Sequence, residues 1–146
     1  MKNFKNKSIL ITGGTGSFGK NFLKILLNKK YNFEKIIIFS RDELKQHEMK
    51  QNEIFNENKF PQLRFFICDI RDKDRLTHAL RDVHYIVHAA ALKQVPTGEY
   101  NPFEVINTNV IGTQNILDAA LNSHDVEKII SLSTDKAVSP LNLYGA

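Results

Sequence analysis

A chain of 146 residues has the length of one domain, enough to bury roughly two thirds of its unfolded surface in a single core. Its 42% hydrophobic and 25% charged residues are ordinary globular values, and the net charge of +4 is spread over Lys2, Lys5, Lys7, Lys20, Lys29 and Lys30 without an aromatic-interleaved basic stripe, which reads as solvated surface and argues against a nucleic-acid partner. The single cysteine, Cys68, excludes an internal disulfide, no apolar run approaches the ~20 residues of a membrane span, and polar residues rather than an apolar signal segment open the chain, so a reducing cytoplasm is the expected compartment.

The first apolar run, "SILIT" (Ser8 to Thr12), leads directly into "TGGTGSFG" and then into a helical pattern. The loop satisfies G-x-G-x-x-G through Gly14, Gly16 and Gly19, and G-x-x-G-x-x-G through Gly13, Gly16 and Gly19. Glycines so placed give a tight turn, let backbone approach a pyrophosphate and allow helix to pack on strand, with phosphates at the positive helix N-terminus. A strand before and a helix after make this a dinucleotide-binding fingerprint, with Gly13, Thr15, Gly16, Ser17, Phe18 and Gly19 as its candidate residues. The helix is expected to bury Phe18, Phe22, Ile25 and Leu26.

The second strand, "KIIIF" (Lys35 to Phe39), ends at Ser40 and Arg41, about twenty residues on, where NAD-binding chains place an acid for the ribose 2′-hydroxyl. A hydroxyl and a guanidinium suit a 2′-phosphate, so NADP is expected over NAD, although Asp42 stands one position on and within reach of a ribose. A weakly amphipathic helix follows from about Asp42 to Asn56. After the third strand, "LRFFI" (Leu63 to Ile67), come Cys68, Asp69 and Ile70; Asp69 suits an adenine amino group or, equally, a cap for the next turn. A third helix from Asp72 turns Leu76, Ala79 and Leu80 inward. The fourth strand, "YIVH" (Tyr85 to His88), leads to Ala89, Ala90 and Ala91, small enough for a flat ligand or for plain packing, and to Lys93, which faces either a diphosphate or solvent.

Asn101 and Pro102 mark a helix start with Glu104 in a capping-box position, and Val105, Val110, Ile111, Leu117 and Leu121 are expected on its buried face. The fifth strand, "KIISLS" (Lys128 to Ser133), delivers Thr134, Asp135 and Lys136 to the carboxyl edge, with Tyr144 close behind. Strands alternating with helices imply right-handed crossovers and an α/β, doubly wound parallel sheet of about five strands with helices on both faces, a Rossmann-like fold with strands buried on both sides. His47, His78, His84, His88, His124 and Cys68 show no ligand-like spacing, so no metal is expected.

The segments "ILITGGTGSFGK", "FSRDELKQ", "HAAALKQVP", "EYNPFEVINTNVIGT" and "LSTDKAVSPLNLYGA" together resemble the extended short-chain dehydrogenases/reductases, and among them the inverting UDP-N-acetylglucosamine 4,6-dehydratases that start pseudaminic acid synthesis. The resemblance spans the whole chain. It implies that Tyr144 removes the O4 proton, Lys136 takes the C5 hydrogen, Asp135 protonates the departing 6-hydroxyl and Thr134 holds O4, with NADP as cofactor. Asn109 matches the asparagine that braces the active-site helix. Retaining relatives carry an Asp-Glu pair, and sugar 4-epimerases lack the pair. The family's lysine four residues after the tyrosine has no counterpart. Residues 1–146 are therefore expected to be a cofactor-binding Rossmann domain short of its substrate-binding part, inactive alone and self-associating when complete.

Overall fold

A computed structural model describes residues 4–28, 31–56 and 58–146. Lys2, Lys29 and Lys30, expected on the solvated surface, lie outside the described residues. Five strands, β1 (Ser8–Thr12), β2 (Lys35–Ser40), β3 (Leu63–Ile67), β4 (Tyr85–His88) and β5 (Lys128–Ser131), form one all-parallel sheet in the order β3-β2-β1-β4-β5. Register along β1 alternates its side chains between two cores. Ile9 and Ile11 pack with Leu23, Leu26 and Leu27 of α1 (Ser17–Asn28) and Met49 of α2 (Glu43–Gln51). Leu10 points the other way, to Leu76 and Ala79 of α3 (Lys73–Ala79) and Ile116, Ala119 and Ala120 of α6 (Gly112–Leu121). The sheet is thus covered on both faces, as expected.

Burial on both faces holds for β1, β2 and β4 but not for β3 and β5, which are the sheet edges and show only half of their residues or fewer to the core. β5 also ends at Ser131, two residues earlier than expected, although the Leu132 amide still donates to the His88 carbonyl at 3.0 Å. Helix α2 is shorter than the expected 42–56, running from the Asp42 N-cap to Gln51.

Two helices bury a different face from the expected one, for the same physical reason. In α1 the core face is Gly19, Leu23, Leu26 and Leu27, the i, i+4, i+7, i+8 pattern displaced by one residue, while Phe18 and Ile25 are exposed. Gly19 decides this: a methyl there would stand 2.5 Å from the Gly14 Cα, so α1 turns its glycine edge inward to lie against the loop. Between α5 (Pro102–Val105) and α6 the chain makes one wide π-turn, Ile106–Ile111. Here Val105, Thr108, Gly112, Ile116 and Ala119 face inward, and of the expected set Val110, Ile111, Leu117 and Leu121 are exposed. Small residues again set the contact, since the Gly112 backbone lies directly on the Ile70 side chain. A further helix, α4 (Val95–Tyr100), precedes α5. Asn101 gives α5 no side-chain cap; its amide donates to the Thr97 carbonyl of α4 at 3.0 Å, and Glu104 accepts from Arg71 at 2.8 Å instead of closing a capping box.

The corrected face of α1 has a direct consequence for stability. Leu23→Ala, which empties a fully buried site, should cost about 2–5 kcal/mol in urea unfolding, whereas Ile25→Ala should change it by less than about 1 kcal/mol. Equal losses would restore the face read from the apolar spacing.

Candidate functional site

The strand order reverses between β1 and β4, and an open α/β sheet takes its ligand in the crevice outside the carboxyl ends at that point. A cleft of about 720 Å³ opens there. Its wall is built from four successive strand ends: Gly13, Thr15, Gly16, Ser17 and Phe18 after β1; Ser40, Arg41 and Asp42 after β2; Asp69 and Ile70 after β3; and Ala89, Ala90, Ala91 and Lys93 after β4. Asn109 closes it from the π-turn. Gly19 does not line the cleft but stands behind it, carrying α1 onto Gly14.

The glycines divide the work. Gly13 is left-handed (φ +64°), and a Cβ on it would lie 2.8 Å from the Ala89 carbonyl oxygen and the Ala90 nitrogen. The loop after β1 and the loop after β4 therefore meet backbone to backbone. Gly16 is exposed, and a Cβ on it would meet only the Gly13 carbonyl of its own turn, at 3.2 Å. Its backbone is open to an approaching group at the first turn of α1, where unpaired amides and the helix dipole favour an anion.

At the end of β2, Ser40 is buried, with its hydroxyl 2.9 Å from that of Thr15 and accepting from the Asp42 amide at 3.2 Å. Arg41 reaches outward and pairs with Asp69 at 3.6 Å. Asp42 caps α2 through the Lys45 amide and pairs with the Lys45 ammonium at 2.8 Å, which holds its carboxyl below the usual carboxylate range. Asp69 is partly desolvated, which pushes its carboxyl up, but the bonds it accepts from the Arg71 guanidinium and backbone, with the charges of Arg71 and Arg41, outweigh burial and bring it down. Of its two sequence readings, the turn-forming one is what the geometry displays.

Several participants carry no sequence signal of their own. Lys45, which the sequence analysis did not single out, lines the cleft beside Arg41 and Asp42. Gln46 is buried and donates to the Ser40 and Phe66 carbonyls at 2.9 and 3.0 Å, fixing the end of β2 against β3. His88, Thr108 and Thr113 line the floor with Leu92 and the segment Ser131 to Ser133. Asn109 braces the loop after β4, accepting from the Leu92 amide at 2.8 Å and donating to the Leu92 carbonyl at 2.9 Å.

Of the four candidate catalytic residues, Thr134 and Tyr144 line the cleft, and Asp135 and Lys136 do not. The pair sits on a single 3₁₀ turn, Asp135–Ala137, with Lys136 Nζ 3.6 Å from Asp135 Oδ1. The Asp135 side chain is 90% exposed. The Lys136 charge, and then a hydrogen bond from Thr134, hold its carboxyl below the usual range, so in this geometry it is a carboxylate and not a proton donor. Tyr144 is half-buried, its segment fastened by the Leu143 amide donating to Glu99 of α4 at 2.8 Å. Gly145 lies so close to the Lys136 carbonyl that no side chain fits between them, which presses the Tyr144 and Lys136 segments together.

A dinucleotide fits these residues on two observations. The cradle between Gly13, Gly16 and the start of α1 is lined by backbone, and the Thr108 hydroxyl is buried in the cleft floor with no hydrogen-bond partner among the described residues, so it stands ready for a polar group of a ligand.

The chain is similar to several known proteins. The chain is 58% identical over 143 residues to UDP-N-acetylglucosamine 4,6-dehydratase (inverting) of Campylobacter jejuni subsp. jejuni serotype O:23/36 (strain 81-176), covering 98% of this chain and 41% of that protein. It is 50% identical to UDP-glucose 4-epimerase of Rickettsia rickettsii (strain Sheila Smith), covering 97% of this chain and 40% of that one. The crystal structure of DesIV, a dTDP-glucose 4,6-dehydratase from Streptomyces venezuelae with NAD and TYD bound, superposes with a TM-score of 0.80 at 27% identity, over 94% of this chain and 47% of DesIV. The chain thus spans about two fifths of the length of these curated relatives. The family model described as polysaccharide biosynthesis protein matches residues 9–146, and the chain belongs to that family.

Proposed function

We propose that this chain is the dinucleotide-binding portion, residues 1–146, of an NADP-dependent enzyme that dehydrates UDP-N-acetylglucosamine to a 4-keto-6-deoxy sugar nucleotide with inversion at C5. The observation that carries the reading is that Thr134 and Tyr144 share one cleft with the glycine loop, so a phenol and a hydroxyl stand where a cofactor and a sugar would meet. The match to the inverting dehydratase of Campylobacter jejuni supports the substrate. When bound, a nicotinamide dinucleotide supplies reversible hydride exchange with the sugar.

The chain's own residues do the rest. Gly13, Gly16 and the start of α1 hold the pyrophosphate, and Ser40, Arg41 and Lys45 supply a hydroxyl and two cations to a 2′-phosphate. Tyr144 takes the O4 proton, Thr134 orients O4, Lys136 exchanges the C5 proton and Asp135 delivers one to the departing 6-hydroxyl. The exposed Tyr100, Phe103 and Leu121 on α4 to α6 support self-association of the complete protein, acting in the cytoplasm at the head of pseudaminic acid synthesis. A second reading, sugar 4-epimerase, is favoured by the Rickettsia relative; it predicts no exchange of the C5 hydrogen with solvent.

Three outcomes follow. In calorimetric titration of the 146-residue chain, NADP⁺ should bind at least tenfold tighter than NAD⁺, and Arg41→Ala with Lys45→Ala should erase the difference; equal affinities in the parent chain would refute the NADP assignment. The isolated chain should release no water from UDP-N-acetylglucosamine, and measurable turnover would overturn the view that it is only the cofactor-binding portion. In a completed protein, Lys136→Ala should lower kcat by about 10²–10⁴ and abolish C5 exchange with solvent, and retention of either would remove Lys136 from the mechanism.

A further inference from the structure

We infer that His88, which none of the roles above employs, is a positioning residue: as a neutral ring carrying its proton on Nε2, it ties β1, the loop after β4 and the π-turn into the floor of the cleft. The inference rests on reading that cleft as a dinucleotide site. His88 ends β4 directly opposite Thr12, its register partner on β1, and is 5% exposed. Its Nδ1 lies 2.7 Å from the Thr12 hydroxyl and its Nε2 3.0 Å from the Thr113 hydroxyl.

The positions of the hydrogens follow from the neighbours. Thr113 gives its only hydroxyl proton to the Asn109 carbonyl at 2.7 Å, so towards His88 it accepts, and Nε2 must carry a hydrogen. Thr12 Oγ1 accepts from the Ala89 amide at 3.1 Å, a proton it shares with the Thr12 carbonyl at 3.3 Å, and from the Ala90 amide at 3.2 Å, which occupies both of its lone pairs and leaves its hydroxyl proton for a bare Nδ1. Every donor then has an acceptor. The opposite tautomer sends a third donor to Thr12, strands the Thr12 proton and takes the Thr113 proton away from Asn109.

What this chain of bonds holds is the wall for a flat ligand. Ala89 and Ala90 are fixed through Thr12, Leu92 through the two side-chain bonds of Asn109, and His88 joins the two anchorages. The close contact of Gly13 with Ala89 and Ala90 leaves no slack between them. The groups hydrogen-bonded to the ring are the Thr12 hydroxyl from β1 and the Thr113 hydroxyl from α6, both uncharged. Burial alone pushes His88 below the ordinary histidine value. The sign follows: a folded-state value below the unfolded 6.5 means the folded chain binds fewer protons, so this contribution to stability is complete above about pH 6.5 and declines as the pH falls below it.

The test combines three readouts on the 146-residue chain. Nitrogen-15 spectra of His88 at pH 7 should show the neutral Nε2–H tautomer; an Nδ1–H or doubly protonated ring overturns the inference whether or not any cofactor binds. Amide exchange at Ala89, Ala90 and Leu92 should accelerate in His88→Leu, and unchanged exchange likewise overturns it. For NADP⁺ and NAD⁺, His88→Leu should raise Kd about tenfold by orphaning the buried Thr12 hydroxyl, and His88→Asn, whose Oδ1 accepts from Thr12, should recover most of that loss. A variant that melts earlier but binds as tightly makes His88 a packing residue only and refutes the proposal. Failure of the parent chain to bind either dinucleotide counts against the cofactor reading, while the tautomer and exchange results still decide the role of His88.

Discussion

Everything at the carboxyl edge of this sheet depends on how closely β1 and β4 come together. The two strands are parallel neighbours at the point where the strand order reverses, and past their last residues the two loops diverge and leave a crevice. The crevice is usable only if its base is closed, and the base is closed by Gly13 lying on the Ala89 and Ala90 backbone. Any Cβ at Gly13 would pry the loops apart and carry the glycine turn, and the N-terminus of α1 with it, away from the floor. The polar chain through Thr12, His88, Thr113 and Asn109 works in the same place and to the same end. A hydrophobic contact resists separation without direction, whereas this chain also fixes which way each loop faces.

The rim is held far more loosely than the floor. Arg41, Asp69 and Arg71 form one charged chain, and Asp42 and Lys45 another, with side chains exposed by about a quarter to more than a half. Exposed pairs of this kind contribute about 0–1 kcal/mol and weaken in salt, so they order the rim without committing it. On the proposed reading, a dianionic phosphate arriving near Ser40 would exchange weak partners of Arg41 and Lys45 for a stronger one at little cost. The division is physically sensible for the proposed cofactor site: a rigid floor would set distance for a bound ring, and a pliant rim would accommodate charge.

The sequence exposed this architecture unevenly, and the reasons are particular. The order of the strands, the glycine turn and the set of loops that line the cleft were all legible, because each rests on local pattern: short apolar runs, turn residues and the position of a strand end; the short helix α4 was not. The inward faces of α1 and α6 were not, because apolar spacing ignores glycine and alanine. In both helices Gly19, Gly112, Ala119 and Ala120 choose the contact by letting the backbone come close, and the larger Phe18, Ile25, Val110 and Leu121 are left outside. The π-turn was illegible for a different reason. One extra residue in a helical turn has no composition, and only its consequence, Asn109 aimed at Leu92 and Thr108 left without a partner among the described residues, reveals it. Asn101 misled because a capping side chain can serve the helix behind it as readily as the one ahead.

The placement of Asp135 and Lys136 bears on how such a pair could act at all. Side by side in solvent they are an ion pair, and the Lys136 charge holds Asp135 as a carboxylate, which is the reverse of what the proposed roles require: Asp135 must hold a proton and Lys136 must lack one. Desolvation penalises both charges together, raising the carboxyl and lowering the amine. Covering the pair therefore favours passage of one proton from Lys136 to Asp135, which creates the neutral acid and the neutral base in a single event with no net uptake from solvent. Neither residue needs a separate perturbing charge. On the proposed reading, the sugar that is to be dehydrated is itself the cover, and the pair is armed only where it is shielded.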